Sequence, residues 1–272
     1  MSPRAIEQRL RRLSQRLSVY VGSAHVAMDL QPRWGGRHLH RWRGALGAAP
    51  TFEAAMAVLA AGLNELTAAV ADLRGLMCDV VLADRWLLYD VVALDVAQVS
   101  RPAVNAAVAA TLADIGGTRA QTLDVRWQWQ RGGSSVLAIG IERAWLAQLS
   151  SVLQNGKLAL RSITGEFVAI FNAQRARLGG QRQVFAVQRE SDVQWALMSD
   201  GAIRMIAFAS PCRGPADLAR IATHALRAYG EDTAADIEFV VDPGAPDEVY
   251  GTPPPGGGHW ALIRAPEWAA AL

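Results

Sequence analysis

Three short strands, a helix and a further strand occur in the same order twice along the chain, from residue 17 and again from residue 183. This predicts an α/β protein of two lobes built on one plan. The composition, 51% hydrophobic and 19% charged over 272 residues, is that of a folded globular chain. No apolar run reaches the roughly 18 residues a spanning helix needs. The opening MSPRAIEQRLRRLSQRL lacks the apolar centre of a secretory signal, so a cytoplasmic protein is expected.

Arg4, Arg9, Arg11, Arg12 and Arg16 make residues 1–16 a basic helical extension with a solvated face. Leu17–Val21, His25–Leu30 and Arg37–Trp42 then read as strands of an antiparallel meander, parted by Gly22-Ser23-Ala24 and by Pro32-Arg33-Trp34-Gly35-Gly36. Thr51 caps a helix whose apolar positions Met56, Leu59, Leu63, Leu66, Val70 and Leu73 keep helical spacing to about Arg74, before Gly75. Met77–Leu82 is a buried strand, and Trp86–Val92 another.

Ser100 and Pro102 open a second helix that ends near Asp114. Gln121–Gln130 alternates through Leu123, Val125, Trp127 and Trp129, turns at Gly132-Gly133 and returns over Val136–Ile139. A helix over Glu142–Gln154 is capped by Asn155-Gly156, Lys157–Ile163 is a strand, and Glu166–Leu178 is helical up to Gly179-Gly180. The pattern then returns, with strands at Gln183–Gln188, Val193–Met198 and Ala202–Ala209, a helix from Pro215 to Tyr229 capped by Gly230, and a strand at Ile237–Val241. Residues 243–258, rich in Pro and Gly, form a loop, and Trp260–Ile263 an edge strand. The lobes are expected at 17–165 and 166–272.

Several chemistries lack the residues they need. Cys78 and Cys212 are far apart, without a CxxC, so neither a disulfide framework nor a zinc site is expected. The sole lysine, Lys157, stands in Asn155-Gly156-Lys157-Leu158, which is not a P-loop. His25, His38, His40, His224 and His259 are scattered, and His38 and His40, on one strand face, read as exposed strand residues rather than metal ligands. No Gly-x-Ser-x-Gly elbow occurs. A net charge of +2 offers no field for nucleic acid. Trp127 and Trp129 share a strand face that is either a core ladder or a binding face.

The duplicated β-β-β-α-β-α unit, with a Gly-Ser turn in its first hairpin, resembles the actin-like ATPase superfamily of actin, Hsp70 and sugar kinases, whose fold is ribonuclease H-like. Within it, Leu17-Ser-Val-Tyr-Val-Gly-Ser-Ala-His-Val-Ala-Met-Asp29 is similar to the start of the PilM-like pilus assembly proteins and of the cytoplasmic domain of GspL. Val80-Val-Leu-Ala-Asp-Arg-Trp-Leu-Leu-Tyr89, Leu158–Ile163 and Phe171-Asn172-Ala173-Gln174-Arg175 extend the resemblance over most of 17–242.

In active members, the resemblance implies, each lobe's first hairpin carries Asp-x-Gly, a carboxylate for Mg²⁺ beside amides for phosphate. Tyr20 stands at the first such position and Val187-Gln188-Arg189 at the second. Only Gly22 and Ser23 keep the shape of a phosphate loop, as a vestige of cofactor binding, with Gly244 as a weak adenosine-side glycine. The resemblance thus implies no catalytic or metal-ligating residue, no working ATP site, and an adaptor that holds the N-terminal segment of a single-span inner-membrane PilN-like protein in a groove. Membrane association would then be indirect. The resemblance assigns no partner-contacting residues.

The competing function is a nucleotide-binding sugar kinase or ATPase of the same superfamily, because Asp114-Ile115-Gly116-Gly117-Thr118-Arg119 reads like a sugar-kinase phosphate loop. The helix-like run before it instead makes Gly116-Gly117 a helix cap.

Overall fold

The computed structural model describes residues 15–32, 38–70, 73–94, 99–130, 134–178, 182–189, 192–212, 214–228, 238–242 and 259–263. The N-terminal arginines before Arg16, the turns at 33–36 and 132–133, Gly179-Gly180, Tyr229-Gly230, Gly244 and the rest of the loop at 243–258 lie outside them. Contacts group the chain into two compact units, one of residues 1–86, 142–166 and 271–272, the other of 87–141 and 167–270.

The first unit holds a five-stranded sheet in the order β3-β2-β1-β4-β8. Its strands are β1 (Gln15–Val21), β2 (His25–Pro32), β3 (His40–Ala45), β4 (Met77–Leu82) and β8 (Ala159–Gly165). The meander is antiparallel, whereas β4 lies parallel to β1 and β8 parallel to β4. Helix α1 (Phe52–Ala69) starts where the Thr51 hydroxyl accepts the Ala54 N–H at 3.2 Å. Its face of Phe52, Ala55, Met56, Leu59, Leu63 and Leu66 is buried. Gly62 is required on that face, since a Cβ there would meet Met28 and Trp42 at 2.6 Å. The helix stops at Ala69, short of Arg74, because Val70 turns extended and its N–H returns to Leu66.

Two strands start later than the apolar pattern suggests. Residues Asp84–Trp86 form a 3₁₀ turn, and the next strand is β5 (Leu88–Ala93). His38 is exposed, as the sequence suggests, but it precedes β3 rather than lying in it, and its Nδ1 is 2.6 Å from Oδ2 of the fully buried Asp29, a partner that sequence spacing does not reveal. Helix α3 (Arg143–Asn155) completes the unit, with the Trp145 ring stacked on Phe52 at 5.0 Å and edge-on to Trp86.

The second unit repeats the plan with the sheet β11-β10-β9-β12-β13. Its strands are β9 (Arg182–Arg189), β10 (Asp192–Ser199), β11 (Ala202–Ala209), β12 (Glu238–Asp242) and β13 (His259–Leu262). An antiparallel meander is again followed by two parallel strands, so the duplication read from the sequence is present strand for strand. Val184, Ala186, Val193, Trp195, Leu197, Phe239 and Val241 bury one sheet face under Leu218 and Ala222 of α5 (Pro215–Ala228). On the other face Phe185 meets Phe167 and Phe171 of α4 (Glu166–Gln174) at 5.0 and 5.7 Å.

A three-stranded sheet, β5-β7-β6, belongs to the same unit. It comprises β5, β6 (Leu123–Trp129) and β7 (Ser135–Glu142), packed through Val92, Leu123, Val136 and Ala138 on Val104, Val108 and Leu112 of α2 (Arg101–Gly116).

Cys78, on β4, has its thiol pushed up from 9.0 to about 12 by burial and then by the neighbouring Asp79 charge. Between those values the unfolded state binds fewer protons than the folded one, so stability falls as pH rises, by about 1.4 kcal/mol per pH unit. Urea midpoints at pH 8 and pH 10 should separate, and Cys78→Ala should remove that part of the slope; an unchanged slope contradicts the assignment.

Candidate functional site

In the first unit the register places Val21 beside Leu82 and Leu82 beside Gly165, so three parallel strands end together. In open α/β sheets such strand ends are where ligands bind. Beyond these ends lie the Gly22-Ser23 turn after β1, Asp84 after β4 and Glu166 after β8. Ser23, Asp84 and Glu166 are all buried.

The Gly22 N–H donates to the His25 carbonyl at 2.9 Å and the Gly22 carbonyl accepts Trp86 Nε1 at 3.1 Å, so both backbone groups of this turn residue are used. A Cβ on Gly22 would lie 2.5 Å from the Tyr20 ring and 2.7 Å from the His25 oxygen, which is why only glycine fits. Tyr20 covers the turn, and its hydroxyl donates to Glu166 Oε2 at 2.8 Å, with both side chains buried. Where the resemblance leads one to look for a metal-holding carboxylate, there is a tyrosine tied to a carboxylate from another strand end.

The second unit has its own internal pair. Val187 is in the core, Gln188 Nε2 donates to the Cys212 carbonyl at 3.3 Å, and Arg189 Nη2 donates to Asp242 Oδ2 at 2.7 Å. The Arg189 side chain is 19% exposed and that of Asp242 4%. Sequence reasoning missed Glu166, Asp84, Trp86 and Asp242. The sole local cue was an acid directly after a strand, as in Gly165-Glu166.

Asp114-Ile115-Gly116 is the last turn of α2, and Gly117 is its left-handed cap at φ 59°. The carbonyl end of a helix carries negative partial charge, the wrong sign for a phosphate. Among the described residues no group of three or more His, Cys, Asp or Glu side chains is placed to hold a metal ion, and no helix is long and apolar enough to cross a membrane.

A second feature lies within the second unit, a cavity of about 260 Å³ between the end of β6, α4 and the β10–β11 turn. Trp129 and Phe171 wall it, Leu137 and Val168 add apolar surface, and Arg175 and Asp200 contribute opposite charges. The two tryptophans of β6 touch edge to face, with ring centroids 4.7 Å apart, but differ in exposure. Trp127 is half-buried and its Nε1 donates to Asn105 at 2.5 Å, whereas Trp129 is 40% exposed beside the cavity.

No family model matches the sequence, and no curated protein matches it. Solved structures do, and they show an actin-like ATPase fold. A Bacteroides thetaiotaomicron protein with that fold and unknown function is 9% identical with a TM-score of 0.59, over 88% of this chain and 85% of that one. The cytoplasmic domain of EpsL, an inner-membrane component of the Vibrio cholerae type II secretion system, is 13% identical with a TM-score of 0.57, over 93% and 90%. A PilM–PilN type IV pilus biogenesis complex contains a chain 11% identical with a TM-score of 0.60, over 90% of each.

Proposed function

We propose that the chain is a non-catalytic adaptor of a type IV pilus or type II secretion-like assembly, held at the cytoplasmic side of the inner membrane by the N-terminal segment of a single-span PilN-like partner. The observation that carries this is the occupancy of both hairpin ends by internal pairs, Tyr20–Glu166 and Arg189–Asp242. Neither position offers a carboxylate to organise Mg²⁺ and water. Gly22 and Ser23 are then the remnant of a phosphate loop whose Gly22 amide closes its own hairpin. The likeness to the EpsL cytoplasmic domain and to the PilM–PilN complex supports the class of assembly.

One observation favours the second reading, a nucleotide-binding ATPase or sugar kinase: Asp84 and Glu166 are buried acids at the ends of parallel strands. Steady-state ATP hydrolysis with Mg²⁺ separates the two. The adaptor predicts phosphate release at the protein-free rate; turnover above it that is lost on Gly22→Val favours the enzyme.

A further inference from the structure

We propose that the outer edge of β6 and the cavity at its end receive an extended, uncharged peptide segment, with an apolar side chain seated against Trp129. This rests on the adaptor reading and gives its partner segment a place and a conformation.

Strand β6 is an edge of its sheet among the described residues and contains neither proline nor lysine, the residues that commonly protect an edge from pairing. Its charged residues, Asp124 and Arg126, pair at 2.7 Å in its first half, where Arg126 Nη1 also donates to the Val125 carbonyl at 3.0 Å, so the stretch left for pairing is the end at Trp127–Trp129. Arg126, Gln128 and Trp129 are exposed along it. A strand edge next to a side-chain pocket is the arrangement by which extended peptides are recognised, with main-chain bonds for affinity and the pocket for specificity. The neighbouring strand start is already satisfied: Gln130 Nε2 donates to the Ile203 carbonyl at 2.6 Å while the Ile203 N–H donates to Gln130 Oε1 at 2.7 Å. The side chain of Gln130 thus imitates a paired strand there, which leaves β6 as the edge for an incoming segment.

Size and charge narrow the occupant. About 260 Å³ is below the roughly 300–1,000 Å³ typical of small-molecule sites and suits one or two aliphatic side chains. Arg175 and Asp200 balance in sign, so the rim offers no net attraction to a polyanion or to an acidic membrane surface, and a neutral segment is the complementary partner.

The test is selection of a phage-displayed random dodecapeptide library on the full chain, followed by titration of the consensus peptide. The expected consensus has apolar residues at alternate positions. Its affinity should fall about tenfold or more in Trp129→Ala and in Asn172→Trp, which crowds the cavity mouth from an exposed helix position, and stay unchanged in Phe208→Ser, which alters a separate exposed apolar residue. Circular dichroism confirms that each variant is folded. Apolar spacing of three and four, an acidic or basic consensus, equal binding by the variants, or no enrichment overturns the proposal. A partner segment that binds wild type and both cavity variants alike removes this site while leaving the adaptor function in place.

Discussion

Arg189→Ala is expected to lower folding stability by about 3–5 kcal/mol, the usual consequence of removing one partner of a buried ion pair. The Asp242 carboxylate it leaves behind is 3% exposed and ends β12, the strand paired in parallel with β9. Most of the loss arises from that stranded charge rather than from the attraction itself. The double variant Arg189→Ala/Asp242→Ala should therefore recover a good part of the midpoint in urea. A single variant that melts within about 0.5 kcal/mol of wild type, the range of ordinary surface changes, contradicts the internal pairing.

Tyr20→Asp is expected to be comparably damaging, by about 2–5 kcal/mol, since a buried ring is lost and a second carboxylate is placed beside the buried Glu166. Tyr20→Phe, which keeps the ring and removes the hydroxyl donated to Glu166, should lose only about 1–3 kcal/mol. The comparison separates packing from the hydrogen bond. ATP turnover should stay at background in Tyr20→Asp, because Arg189 still occupies the second hairpin. Turnover restored by this one substitution contradicts the account of both hairpins.

The repeated meander, helix and strand was legible because it rests on local signals: alternation in β9 to β11, the Thr51 cap, and the helical spacing from Met56 to Leu66. The cap role of Gly117 was legible for the same reason. Legibility stopped where the physics is long-range. Tyr20 and Glu166 are 146 residues apart and Arg189 and Asp242 are 53 apart, so no window of sequence contains either pair. The bond from His38 to Asp29 was hidden because a histidine two positions before His40 looks like a strand neighbour. Trp127 and Trp129 have the same alternation in sequence, and only the position of Trp129 at the strand end, where β6 leaves the cover of α2, sets it beside the cavity.

The most direct measurement is isothermal titration of the full chain with the N-terminal cytoplasmic segment of a candidate single-span PilN-like protein, with and without Mg²⁺ and ATP. The adaptor account predicts saturable one-to-one binding that is the same in both conditions and persists at about 0.15 M salt, because apolar anchors are not screened as charges are. No binding of the segment, or binding that appears only with nucleotide, contradicts it.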